Sequence, residues 1–356
     1  MNRDPILFRV DGTTATGWER LARCLTFAAA LQRRRRPTYL LSQLEPPSLA
    51  FAVKRTGSEW LDADAAAGSA EDLAETIQEV RRLSPAAVIV DAAEVSDEYL
   101  ADLSATGVLV VSIDHLASSR FPSRLVINPL LAPGREAYEF EPGTQLLLGK
   151  RYALVRSEIR RVRPVRAQEP PAPFRALVAL GDDDPNCQVA ELAQLLLNVP
   201  KLERVDIVVR PQHPGLEQLQ QLVESKPERL GLATEPAEVT SRIARCHFAI
   251  TGGGGWSLEL ACVGVPQLVI VQFESHWPTA QRLEEEGAAT CLGWHANVSA
   301  NTIRQAVHNL LTDPLERQAM ARCGRKLIDG RGPDRLVTAL EIMLHPSRLI
   351  GLQEAA

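Results

Sequence analysis

Aromatic residues are scarce in this chain. Phe, Trp and Tyr make up 5% of 356 residues, so its cores must be built from aliphatic side chains, which are plentiful enough for two. Paired cysteines are also missing. The six present (Cys24, Cys187, Cys246, Cys262, Cys291 and Cys323) stand singly, several inside apolar runs. That pattern excludes a disulfide framework or a zinc knuckle and fits buried free thiols in a reducing compartment. There is no excess of positive charge: the net formal charge is −5 and the sequence pI about 5.9, which argues against a general nucleic-acid binder. No apolar stretch is long enough to span a membrane, and the opening "MNRDPILFRVDG" lacks the layout of a signal peptide. A soluble, cytoplasmic protein is expected, with no transmembrane segment.

What the chain does have is alternation. At 356 residues it exceeds the size at which a single core keeps growing, so two domains are the default. "ILFRV" reads as a strand and "GWERLARCLTFAAALQRR" as a helix with Leu21, Leu25, Ala28 and Leu31 on one stripe. "AAVIVD" and "GVLVVSID" are continuous β-rich runs of the kind found in strands buried on both faces. The pattern breaks at "RRVRPVRAQEPPAPFRA", where prolines and arginines crowd together, and restarts with "RALVALG". This predicts an N-terminal domain over 1–160, a linker over 161–173 and a C-terminal domain over 174–356, both α/β and doubly wound. The run Arg33–Arg36 closes a helix, where cations suit the dipole, and reads as a solvated cap.

In "HFAITGGGGWSLELACVG", four glycines, Gly252 to Gly255, follow a strand and precede a helix. In an open α/β sheet ligands bind beyond the carboxyl ends of strands, and a helix N-terminus offers N–H groups to an anion. Glycine lets a phosphate approach the backbone closely. A tight turn alone would need one or two glycines, so a run of four points to a phosphate. The spacing is neither the G-x-G-x-x-G dinucleotide fingerprint nor a P-loop, which needs Gly-Lys-Ser/Thr.

Further along, "AITGGGGWSLELACVGVPQLVIV" and "AQRLEEEGAATCLG" resemble the nucleotide-sugar signature of GT-B glycosyltransferases of the MurG type. "DGTTATGWERLARCL" resembles the D-x-S-x-x-I-G-x-G-H-x-x-R-C-L opening of the nucleotide-sugar hydrolases of pseudaminic acid synthesis and the similar spore-coat polysaccharide proteins (PseG/SpsG), with Asp11, Gly17, Arg23, Cys24 and Leu25 in place. "VVSIDHLA", "QLLLGKRYALVRSEI", "LVALGDDDPN" and "GRKLIDGRGPDRLV" are similar to later segments of that family, in the same order.

The resemblance implies a GT-B fold, two Rossmann-like domains facing a cleft, with the C-terminal domain holding the nucleotide. It implies substrate contacts from Gly17, Gly252, Gly253 and Gly254, and a ribose contact from Glu259, with UDP the first expected nucleotide. A carboxylate early in a helix suits the dipole and can accept two hydroxyl hydrogen bonds. Departures from the family are equally informative. Its catalytic His falls on Arg20, and the Gly before that on Glu19; an Arg stays protonated and cannot activate water. Asp91 is kept, while the family's Tyr falls on Ala93 and its Asn-Gln on Ser275 and His276. Asp182, in "GDDDP", occupies a position where it could face a diphosphate unfavourably.

Three residues are therefore candidates for replacement chemistry: Glu19 as a base for an acceptor hydroxyl, Arg20 as a counter-charge to diphosphate, and His276 as a base or sugar contact. No metal and no cofactor is expected beyond a UDP-sugar used as substrate. Three readings follow. The first is a nucleotide-sugar-dependent glycosyltransferase of surface-polysaccharide or nonulosonic-type sugar synthesis with a glycan or lipid-linked acceptor. The others are a UDP-amino-sugar hydrolase with altered residues and a non-catalytic nucleotide-sugar-binding protein.

Overall fold

The structure, a computed structural model, describes residues 3–117, 119–181, 184 and 188–345, and the counts below refer to these. It divides into two compact units, Met1–Leu154 with Arg331–Ala356, and Val155–Gly330.

The first unit carries β1 (Ile6–Arg9), β2 (Thr38–Ser42), β3 (Glu59–Asp62), β4 (Ala87–Val90), β5 (Leu109–Ile113), β6 (Arg120–Phe121), β7 (Leu125–Asn128), β8 (Glu139–Phe140) and β9 (Gln145–Leu148). Seven of these form a parallel sheet in the order β3-β2-β1-β4-β5-β7-β9, and β6 pairs with β8. Side chains alternate across a strand, so Ile6 and Phe8 enter one core while Leu7, between them, enters the other. Ile6 and Phe8 meet Leu21, Cys24, Phe27 and Leu31 of the helix Glu19–Arg33, with Phe8 and Phe27 edge to face at 6.0 Å. The strand order reverses between β1 and β4, so the carboxyl ends of these two strands mark the unit's switch point.

The second unit carries β10 (Phe174–Ala179), β11 (Leu202–Val208), β12 (Leu230–Ala233), β13 (Phe248–Thr251), β14 (Gln267–Val271) and β15 (Thr290–Trp294). All pair in parallel in the order β12-β11-β10-β13-β14-β15, with the reversal between β10 and β13. Residues of β13 and β14 are buried throughout, matching their continuous apolar runs.

The structure corrects three expectations, two of them about boundaries. The closing helix Gly332–Leu344 belongs to the first unit, not the second: Leu336, Val337 and Leu340 complete the apolar core around Phe8 and Phe27. The arginine- and proline-rich stretch after residue 160 is a strap pinned onto the second unit rather than a linker. Arg163 donates to the Cys262, Ile328 and Arg325 carbonyls, and Arg166 to those of Cys246 and Gly264. These are the orphan acceptors of helix C-termini, which guanidinium groups satisfy well. Finally, the Arg33–Arg36 run is not wholly a solvated cap. Arg36 is 1% exposed and donates to Glu341 at 2.8 and 3.0 Å and to the Asp4 carbonyl at 2.8 Å. Only the returning terminal helix brings that carboxylate within reach.

Candidate functional site

At the switch point of the first unit, β1 runs into Asp11. This carboxylate accepts from Arg9, from the Gln43 N–H at 2.8 Å and from the Ala67 N–H at 3.1 Å. Arg9 is in turn held by Asp72, so Asp11 clamps two loops and has little capacity left for a ligand. Gly17 follows with φ +73°, a left-handed turn that aims the chain into the helix beginning at Glu19.

From that helix Arg23 reaches Asp91 at the end of β4 through two hydrogen bonds, 2.5 and 2.6 Å, and both groups are buried. Burial opposes the guanidinium charge, but the Asp91 carboxylate more than offsets it and holds the Arg23 pKa above its ordinary value. Cys24 also donates to Asp91 at 3.4 Å; burial and then that carboxylate push its thiol well up, which makes it inert as a nucleophile. Arg20, one turn earlier, meets Glu94 at 3.5 Å. Glu19, Arg20, Arg23, Asp91 and Glu94 thus converge on one end of one sheet.

One member of this group was missed in the sequence. His115, just beyond β5, lies with Nδ1 3.1 Å from an Arg23 amino nitrogen. Arginine can only donate, so Nδ1 accepts and the neutral ring carries its proton on Nε2. The signal was present in "SIDHLA", where a histidine stands in the second acidic position of the family's I-D-D-L-A segment.

In the second unit β13 leads through Gly252–Gly254 into the helix Gly255–Val263. What sits against this backbone is first of all the protein itself. A Cβ at Gly252 would overlap the Leu180 carbonyl, where β10 ends. Gly253 has φ +88°, and its N–H donates to the Ser257 hydroxyl at 3.1 Å. Ser257 donates onward to Thr251 at 2.9 Å, and Gln267 braces both, so this buried network fixes the turn. Gly254 is the residue on which the helix opens.

Glu259 is 4% exposed, and its carboxylate is engaged. Oε1 accepts from the Arg156 N–H and Nε, each at 2.9 Å, and Oε2 from Arg156 Nη2 at 2.5 Å. The Arg156 guanidinium also lies 4.4 Å from the Trp256 ring centroid, so it spans the first turn of the helix. His276 is buried in the turn after β14, edge to face with Phe273 at 5.3 Å, with its Cβ against Gly253; Glu274 beside it is exposed. Glu259, His276 and the glycines therefore share the carboxyl end of the second sheet, while Glu19, Arg20 and Gly17 share that of the first. Asp182 and Cys187 lie outside the described residues. Among the described residues, no three His, Cys, Asp or Glu side chains converge as a metal site would, and no helix is long and apolar enough to cross a membrane.

No protein-family model matches the chain. It is 28% identical over 167 residues to the spore coat polysaccharide biosynthesis protein SpsG of Bacillus subtilis (strain 168), an alignment covering 46% of this chain and about half, 49%, of that relative. Among solved structures, spinosyn rhamnosyltransferase SpnG with thymidine diphosphate superposes with TM-score 0.67 at 16% identity, over 95% of this chain and 100% of that one. MurG of Acinetobacter baumannii gives 0.62 at 16% identity, over 95% and 99%. By sequence the chain is SpsG-like across about half of its length, and by fold it is of the GT-B type, similar to the glycosyltransferases SpnG and MurG.

Proposed function

We propose that the protein is a nucleotide-sugar-dependent transferase of surface-polysaccharide or nonulosonic-type sugar synthesis. Its donor is a UDP-sugar and its acceptor a glycan or lipid-linked hydroxyl. The observation that carries this reading is the strand–glycine turn–helix at the switch point of the second sheet, the position where open α/β sheets take phosphates. The diphosphate is assigned to the glycine turn at the N-terminus of the helix Gly255–Val263, where Gly253 already gives its N–H to Ser257. Glu259 is assigned to the ribose, a contact that Arg156 must share or release.

In the first unit, Arg20 is assigned the role of a fixed counter-charge for an anionic substrate group, which needs no proton transfer. Glu19 takes the acceptor proton. His115, with its proton on Nε2, donates a hydrogen bond rather than acting as a base, since Arg23 already occupies Nδ1. Neither Arg20 nor His115 is thus set to activate water, which favours transfer over hydrolysis. SpnG has been solved with thymidine diphosphate, as has the glycosyltransferase VinC, so the base is tested with both nucleotides.

The experiment is calorimetry with UDP and TDP, followed by mass-spectrometric screening of UDP- and TDP-sugars with and without candidate acceptors. Nucleotide release that depends on an acceptor is expected. No heat with either nucleotide would sink the reading. Rapid release with water as the only acceptor would replace it with hydrolysis, and binding without any turnover would leave a non-catalytic sensor.

A further inference from the structure

The second unit has a concavity at the end of its sheet opposite the glycine turn. A cavity of about 430 Å³ is lined by Arg166, Glu169, His247, Arg317, Arg322 and Arg325, together with small and apolar groups including Ala167, Pro266 and Ala321. His247 immediately precedes β13, and Pro266 immediately precedes β14. The glycine turn follows β13, so the whole strand separates the two places.

The walls are unusually cationic. Four arginines face a single carboxylate, Glu169, and that carboxylate is consumed by Arg317 through contacts of 2.5 and 3.3 Å. Arg317 is also stacked 5.1 Å from the Phe174 ring centroid, which fixes its plane. Arg166 is buried and gives its amino groups to helix-end carbonyls, while its Nε has no partner among the described residues. Arg325 donates to the Arg163 carbonyl at 2.7 Å. Burial, followed by repulsion from Arg163 and then Arg166, lowers its pKa. Arg322 forms no ion pair among the described residues and stands exposed at the rim. His247 adds no charge: burial keeps its pKa below the ordinary value.

Such walls are costly without a counter-charge, because converging cations repel, and the exposed Arg322 guanidinium presents its fork of donors to an oxyanion. The volume falls within the range of small-molecule sites and exceeds what a bare ion needs. We infer that this cavity is a second ligand site, taking a phosphate or polyphosphate anion carried on a small organic body. The anion lies between Arg322 and Arg325, with the body against Ala167, Pro266 and Ala321. The site lies away from the glycine turn and does not depend on the proposed transferase activity. A ligand here touches the Arg166 and Arg325 region that plugs the C-terminus of the glycine helix, so occupancy would stabilise that helix from its far end.

The test uses inorganic pyrophosphate as probe, titrated calorimetrically into the full chain in the presence of saturating UDP. Saturable binding is expected in the wild type, with affinity falling at least about tenfold in R322E, whose side chain supports no other contact. R325M should do the same, and R322E keeps the test decisive if R325M fails to fold. Omitting UDP should leave the affinity at this site unchanged, with any additional binding that UDP competes away belonging to the glycine turn. Absence of saturable binding, an affinity identical in R322E, or binding abolished by UDP would each overturn the inference. The last result would assign the probe to the glycine turn, and failure of UDP itself to bind would count against the transferase reading alone.

Discussion

Replacing Gly252 by Ala isolates what the glycine turn is for. The added Cβ would overlap the Leu180 carbonyl oxygen, reach its carbon at 3.0 Å and approach Gln272 Cγ at 3.2 Å. The first obstacle is backbone, not a movable side-chain tip. Gly252 directly follows β13, whose Thr251 pairs with Ala179 of β10, so the two strands must part by roughly 1 Å near their ends. Overpacking of this kind costs about 1–3 kcal/mol, and a weakened ladder bond adds ~1 kcal/mol, so a loss of about 3 kcal/mol is expected for the second unit. Urea unfolding followed by hydrogen exchange at the β10 and β13 amides reads that loss locally, and calorimetry with UDP on the folded fraction reads the function. Unchanged exchange and an unchanged urea midpoint would refute the close-approach argument. A fully stable variant that had lost UDP would show that the glycine is there for the ligand alone. Gly253→Val, at φ +88°, should likewise be destabilised rather than remain a fully stable protein lacking only its nucleotide.

Glu259→Ala leaves Arg156 facing a vacated carboxylate site; because the arginine is 29% exposed, the cost of a broken buried pair is moderated to about 2 kcal/mol. Denaturant titration checks this, and an unchanged midpoint would show the pair to be idle in the apo protein. His115→Ala should lower transfer about 10²-fold, the usual worth of a positioned donor, while His115→Gln, which keeps an N–H, should recover much of it. Equal loss in both, or an acid limb in the wild-type rate profile that vanishes in the Gln variant, would mean that His115 is a base. His247 accepts from the Arg175 N–H at Nδ1 (3.1 Å) and lies 3.0 Å from the Pro170 carbonyl at Nε2, so protonation sacrifices a hydrogen bond in a buried setting. Its folded pKa is depressed, so the unfolded chain binds the proton more readily. The stabilisation is complete above the ordinary histidine value of about 6.5 and is lost as pH falls below it. Urea midpoints at pH 7.5 and 5.5 should show a slope that His247→Asn flattens, and parallel slopes would contradict the assignment.

The alternation of apolar runs and helical stripes was legible because each is a local property. A strand buried on both faces reads as an unbroken run, as in "AAVIVD" and "QLVIVQF", and strands stand at both. Doubly wound topology followed from that order, as did the glycine turn at a strand's end. The order of weak motifs also identified the right relatives, since order survives when single positions change. Other features depended on residues distant in sequence. Nothing in "GRGPDRLVTALEIML" says which core it will join; the complementarity of Leu336, Val337 and Leu340 to the helix Glu19–Arg33 decides that, and with it the burial of Arg36. The Arg-Pro stretch looked like a linker because prolines forbid a helix locally. Only folding brings the helix-end carbonyls that its arginines satisfy. No motif around Glu259 points to Arg156, yet the pair closes across 103 positions of chain. The sequence thus determined the elements and their order, because periodicity and turn chemistry act over a few residues. Tertiary structure decided which charges meet, because a buried charge is settled by whichever partner the fold delivers.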